Sequence, residues 1–458
     1  MNIMISFGWA GIMLLIGVLL RAKILVFQKM LVPASVIAGL IGAVIMNVGF
    51  DLGTDSNTYT HIVNELFTIS FISMGLTDID KNSVKQRKTK SILHGCFGMG
   101  LVWCILYAIT PILGAIIISI IGKYFKMDSI YGTMIPFAFT QGPGQAAAFG
   151  ALYEKYGWEN AAMLGVTFAA MGFLASFFIG VPMAKIGISK KLAKNIGKID
   201  ESISRGYYRK EEQSEYIGID TVYNGNLETL TFHFGLIALC YVLAVGVSKA
   251  FALIPGFFGT SLSGMLFMNG MITSNLVRWA MNKLHISFLK DNTLQRKITG
   301  WTADFLVVCS FMAVEFRVIG GWLVPIITEV IIITLITLVI CLYFGCRFGD
   351  ENDFERTLGL YGTSTGTVPS GIALIRIVDP ALKTTTAIEL GMMNYVMLFC
   401  VPVYMVLLGT AAGNLSIKVM SFILIALTVI YLAILKVMHA WGKPTYSFWR
   451  KKNEDNIL

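Results

Sequence analysis

The stretch TQGPGQAAAFG, residues 140–150, interrupts a chain that is otherwise strongly apolar on either side of it. Gly142, Pro143 and Gly144 stand between two amide side chains, Gln141 and Gln145. A helix interior tolerates neither a proline nor closely spaced glycines, so the backbone is expected to break here. The apolar run 130–139 precedes the break and the membrane-length apolar segment 159–183 follows it. Hydrocarbon offers no partner for unpaired backbone groups. A break at membrane depth therefore persists only inside protein or along a wet cavity. A second interrupted segment, 357–379, carries GTSTGTVPSG at residues 362–371.

The surroundings make membrane depth the right frame. Of 458 residues, 55% are hydrophobic and only 14% charged, against about 25% charged in soluble proteins. The mean hydropathy is +0.70. The seven cysteines (Cys96, Cys104, Cys240, Cys309, Cys341, Cys346 and Cys400) lie in apolar segments without metal-ligand spacing and read as small core residues. The first twenty residues have no basic n-region and read as a first span, not a cleaved signal.

Spans are expected near 3–20, 31–50, 62–77, 92–121, 159–183, 229–249, 252–275, 299–316, 322–345, 385–409 and 419–439. The interrupted segments 128–156 and 357–379 are read as re-entrant, each entering and leaving by one side. With that reading, thirty Lys and Arg residues fall on one side and six on the other. The positive-inside rule makes the richer side cytoplasmic, with the N-terminus outside and the C-terminus inside. The net charge of +9 is thereby explained as orientation, which excludes a nucleic-acid partner. Lone His94 and His233 read as interfacial.

The chain also repeats. SFISMGL at 70–76 is echoed by SFMAVEF at 310–316, the two interrupted segments correspond, and FFIGVPM at 177–183 is echoed by MLFCVPV at 397–403. The echoes keep one order. The expected fold class is an all-α polytopic membrane protein: two inverted repeats of five transmembrane helices, each with a re-entrant loop, plus one extra C-terminal helix. The divisions are a first repeat, 1–183; a basic cytoplasmic linker, 184–228; a second repeat, 229–409; and the extra helix with its tail, 410–458. Five spans is an odd number, so the halves lie in opposite orientations, which is the plan of a secondary transporter with its site at the repeat interface.

The chemistry of the breaks points to small anions and Na⁺. Free N–H groups at helix starts suit an anion; free carbonyls and hydroxyls suit Na⁺. Thr363, Ser364, Thr365, Thr367 and Ser370 surround Gly366 and Pro369 and bring hydroxyls without formal charge. Among residues in or near spans, Asp304, Glu329 and Glu389 are functional candidates because ionisable groups there are costly. Glu389 is placed to pair with Arg376, and Asn394 lies beside it. Walker, HExxH and haem-ligand patterns do not occur in the sequence. No nucleophile–base pair is evident, so an enzyme is not expected. A channel would be expected to repeat one pore motif, whereas these two loops differ.

VPASVIAGLIGA at 32–43, FISMGL at 71–76, GPGQAAAFGALYEKYGWENA at 142–161 and STGTVPSGIAL at 364–374 resemble the bacterial sodium/glutamate symporters over roughly residues 10–410. The resemblance implies two inverted five-span halves, usually as a homodimer in the bacterial inner membrane. It implies import of L-glutamate with Na⁺ as coupling ion and no other cofactor. Two departures stand out. Thr140 to Gln145 replaces a Gly-Gly-His-Gly-Thr-Gly type of loop, and Pro33 to Ser35 stands where that family has a proline-flanked Glu. The substrate is therefore expected to be L-glutamate or a related small carboxylate, with H⁺ coupling or another organic anion as the alternative. Expected substrate contacts are Gln141, Gly142, Gly144, Gln145, Thr365, Gly366, Thr367, Ser370 and Arg376. Expected Na⁺ contacts are Thr140, Thr363, Ser364 and Asn394.

Overall fold

The computed structural model describes residues 2–48, 52–78, 89–193, 205–210, 218–223, 225–349, 351–380 and 383–447. The side chains of residues 2, 89, 90, 394, 395 and 397 lie outside that description, as do the basic loop 79–88, the linker stretches 194–204 and 211–217, and the basic tail 448–458. Among the described residues the chain is helical, without strands. Its main helices are α1 (Asn2–Lys23), α2 (Ala34–Asn47), α3 (Ser56–Leu76), α4 (Thr89–Ile121), α5 (Pro143–Lys155) and α6 (Ala161–Ser189). There follow α7 (Thr229–Ala252), α8 (Phe257–Gly264), α9 (Leu266–Lys283), α10 (Asn292–Met312), α11 (Leu323–Gly345) and α12 (Asp353–Thr365). The last are α13 (Val368–Val378), α14 (Thr386–Met393), α15 (Val401–Ala411) and α16 (Ile417–Val437).

Among the described residues, seven helical stretches are long and apolar enough to cross a membrane: Ile3–Lys23, Ser91–Phe125, Ala161–Ser189, Thr229–Ala252, Phe316–Gly345, Thr386–Ala411 and Ile417–Val437. The other four expected spans are also helical, with differences that have physical causes. Segment 31–50 yields α2, only 14 residues long, about 21 Å at 1.5 Å per residue. Segment 252–275 is not one helix: α8 and α9 meet at Met265, whose ψ of 58° leaves the helical region. Helices α3 and α10 carry polar residues because they pack on each other. The Ser73 hydroxyl donates to the Gln295 carbonyl at 2.8 Å and to its Oε1 at 2.6 Å.

Side-chain caps start several helices. Asp55 accepts from the Thr58 amide at 2.7 Å at the head of α3. Asp291 accepts from the Thr293 and Leu294 amides at the head of α10, and Ser416 caps α16. His233 stands near the start of α7. It is fully buried, close to the Thr229 carbonyl through Nδ1 and accepting the Asp291 amide on Nε2 at 2.8 Å. It thus joins the start of α7 to the cap of α10.

Candidate functional site

Each interrupted segment folds back on itself as a pair of antiparallel helical arms. In the first, Thr133 bonds the Tyr153 hydroxyl at 2.9 Å, and the Phe137 and Phe149 rings stack with centroids 4.1 Å apart. One end of each pair moves up the chain as the other moves down, so the turn lies between them, at residues 140–142. In the second, a Cβ on Gly359 would meet Ile375 Cδ1 at 2.9 Å, and one on Gly362 would meet the Gly371 Cα at 2.8 Å. That turn lies at Gly366–Thr367. The arms α12 and α13 approach so closely because glycines face glycines along their seam.

The two turns meet. A Cβ on Gly142 would come 2.4 Å from Thr367 Cγ2 and 3.3 Å from the Gly366 carbonyl. Gly142 has φ of +80°, a conformation that suits glycine, and it leads directly into Pro143 at the start of α5. Helix α13 likewise starts at the turn, with Thr367 extended before it and Pro369 in its first turn. Both helix starts therefore direct unpaired N–H groups toward the junction. Surrounding helices enclose the structure: residues 130–150 and 353–366 are buried throughout, whereas Pro369 at the second turn is exposed.

A cavity of about 150 Å³ opens beside the junction, roomy enough for several waters or a small solute. Of the residues expected from the sequence, Thr140, Gln141, Thr367 and Ser370 line it. The α10 helix adds Thr299 and Asp304, α3 adds Ser70, and the head of α2 adds Ser35. Ser35 and Asp304 line the same cavity, so a carboxylate from α10 occupies the neighbourhood of the Pro33–Ser35 motif.

The remaining expected residues have other surroundings. Gly144 packs on Phe67, where a Cβ would meet the ring at 2.2 Å. Gln145 points away from the cavity: its Oε1 accepts from the Tyr107 hydroxyl at 2.5 Å, while its buried Nε2 has no partner. Thr140 and Thr365 donate their hydroxyls to carbonyls of their own helices, Pro136 and Tyr361. The Thr140 carbonyl also accepts from Trp103 Nε1 at 3.0 Å. Thr363 faces the α12–α13 seam, where a Cβ on Gly371 would stand 2.5 Å from its Oγ1. Ser364 lies beside the Cys341 thiol, and Gly366 lies against Ser370. Arg376 is exposed near the far end of α13, two turns from the junction. The side chain of Asn394 lies outside the described residues.

Glu389 does not pair with Arg376. Its two oxygens accept from Arg356 Nε at 2.7 Å and Nη2 at 2.9 Å, and Asp353 stands 3.2 Å from Nη1. All three are almost wholly buried, at the end of α12 opposite the junction. Arg356 is the residue that sequence reading missed. It sits in DFERTLGL among residues assigned to a cytoplasmic connection, and nothing local marks it as enclosed.

No curated protein sequence matches the chain. The family model for the sodium/glutamate symporter matches residues 1–384, which takes in both interrupted segments and every cavity-lining side chain. The chain belongs to the sodium/glutamate symporter family.

Proposed function

We propose that the protein is a Na⁺-coupled secondary transporter that imports L-glutamate or a related small carboxylate by alternating access. The observation that carries this reading is the meeting of two broken helices, turn to turn, beside a cavity edged with amides and hydroxyls. The starts of α5 and α13 open there, and such ends favour a carboxylate. Asp304 brings negative charge to the same cavity, which suits Na⁺ or the ammonium of an amino acid. Membership of the sodium/glutamate symporter family makes sodium and glutamate the expected pair.

Membrane placement follows from the same parts. Arms of 13 and 11 residues in α12 and α13 reach only about 16–20 Å, short of a bilayer core of about 30 Å. That shortfall supports reading them as re-entrant. The element order from α1 to α6 recurs from α7 to α15, each half with its hairpin fifth, which supports two inverted repeats and an added α16. The positive-inside count puts the N-terminus outside and the C-terminus in the cytoplasm of a bacterial inner membrane. A homodimer is the expected assembly.

Radiolabelled L-glutamate uptake into proteoliposomes tests this. Saturable uptake under an inward Na⁺ gradient, and none when K⁺ replaces it, is the expected result. Asp304→Asn should lose Na⁺-dependent uptake while still inserting in the membrane. Uptake that does not saturate would mark a channel. No uptake under either gradient, from folded protein, overturns glutamate as substrate and points to other carboxylates or to H⁺.

A further inference from the structure

Glu329 on α11 takes no part in the cavity, and it is completely buried. Neither of its carboxylate oxygens has a hydrogen-bond partner. Its neighbours are the backbones of two other elements. A Cβ on Gly114 of α4 would meet Glu329 Oε1 at 2.4 Å and the Gly132 carbonyl oxygen at 2.0 Å. The carboxyl oxygen and that carbonyl oxygen therefore flank one point, 2.4 Å and 2.0 Å from it, where glycine crosses glycine. Gly132 ends the short helix Ser129–Gly132 at the base of the first hairpin. The residue four places on, Pro136, has no N–H to return to the Gly132 carbonyl.

Two oxygen acceptors do not sit side by side in a dry interior without a proton or a cation between them. Among the described residues no cluster of three or more His, Cys, Asp or Glu surrounds it that could hold a metal ion, whereas a proton needs only the two oxygens. Charges nearby do not offer another explanation. The titratable groups on the surrounding elements are Lys123, Asp128 and Tyr131 at the hairpin base, and Glu315 and Arg317 ahead of α11. Toward the other end of the packing are Tyr107 of α4, Cys341 of α11, Tyr361 of α12 and Lys185 of α6. None of them is hydrogen-bonded to either carboxylate oxygen of Glu329.

We propose that Glu329 is a proton-binding site. In this conformation it is the neutral acid, and its hydroxyl is donated to the Gly132 carbonyl. That bond fastens the base of the first hairpin to α11 across the crossing with α4. Loss of the proton to water leaves a carboxylate facing a carbonyl, and the hairpin base is released. The contribution is present at low pH and is lost as pH rises through the titration of this carboxyl. This inference concerns the hairpin and does not rest on the identity of the transported solute.

Infrared difference spectroscopy of the full-length protein in lipid tests it. A protonated carboxyl gives a carbonyl stretch that shifts on H/D exchange. At neutral pH wild type should show such a band, and Glu329→Gln should lack it. The difference in Tm between E329Q and wild type should grow as pH rises, because only wild type loses its bond. If E329Q fails to fold, Glu329→Asp, which keeps the acid on a shorter arm, must move the band. A neutral-pH spectrum with no band altered by either variant overturns the proposal. So does a Tm difference that does not change with pH.

Discussion

Gly142 and Thr367, 225 positions apart in the chain, hold the two hairpin turns in contact: a Cβ on Gly142 would stand 2.4 Å from Thr367 Cγ2. At this point both backbones are broken. Gly142→Ala is therefore expected to cut uptake by about tenfold or more, through the collision and the left-handed backbone together. Gly157→Ala separates the two effects. Gly157 has φ of +96° but open space around it, so it should lose only about 1–2 kcal/mol of stability and retain uptake. Equal uptake by both variants would mean that the turn-to-turn contact has no functional part.

Thr367 and Ser370 edge the cavity from the second hairpin. Thr367→Ala and Ser370→Ala should each lower uptake by about tenfold at limiting substrate, the scale of one hydrogen bond to a charged group. Membrane insertion should be normal, and Thr367→Ser should recover most of the loss. Wild-type uptake by both alanine variants would remove these hydroxyls from the site.

The Arg356–Glu389 pair sits in the dry interior, so breaking one side leaves an uncompensated charge. Arg356→Met alone or Glu389→Leu alone is expected to cost about 3–5 kcal/mol. The double variant should be less harmful than either single, because no lone charge is left between that pair. Thermal half-lives in detergent, compared across the cycle, read this directly.

Lys290, in the connection between α9 and α10, donates to the Leu76 carbonyl at 2.6 Å and to Asp78 at 2.7 Å. Burial pulls its ammonium below the ordinary value of 10.5, and Asp78 opposes that pull. The unfolded chain then binds more protons than the native one from the lowered value up to 10.5. Stability from this group consequently rises with pH across that window. Wild type should gain on Lys290→Met in Tm as pH is raised toward the ordinary lysine value. A constant difference would show that the ammonium titrates as it does in water.

Much of the fold was legible because hydrocarbon imposes simple rules. Apolar length, the sidedness of Lys and Arg, and Pro or Gly within apolar runs are one-dimensional signals. They marked the helices and both hairpins. The turn residues Thr140, Gln141, Thr367 and Ser370 were legible for the same reason, since breaks and hydroxyls in an apolar run stand out. The division at Met265 was not, because LSGMLF contains neither proline nor a polar cluster.

The sequence by itself determined that this chain is a helical membrane protein with two interrupted hairpins. It also determined where the backbone had to break, since proline and glycine act locally. Only the tertiary structure decided which distant groups come together: Gly142 with Thr367, Ser35 and Asp304 on one cavity, Arg356 with Glu389 and not Arg376, and Glu329 near the Gly132 carbonyl. Those pairings depend on helix rotation and on close approach at glycines, where one residue's missing side chain makes room for another's. A linear pattern records the glycine but not the neighbour that fills its space.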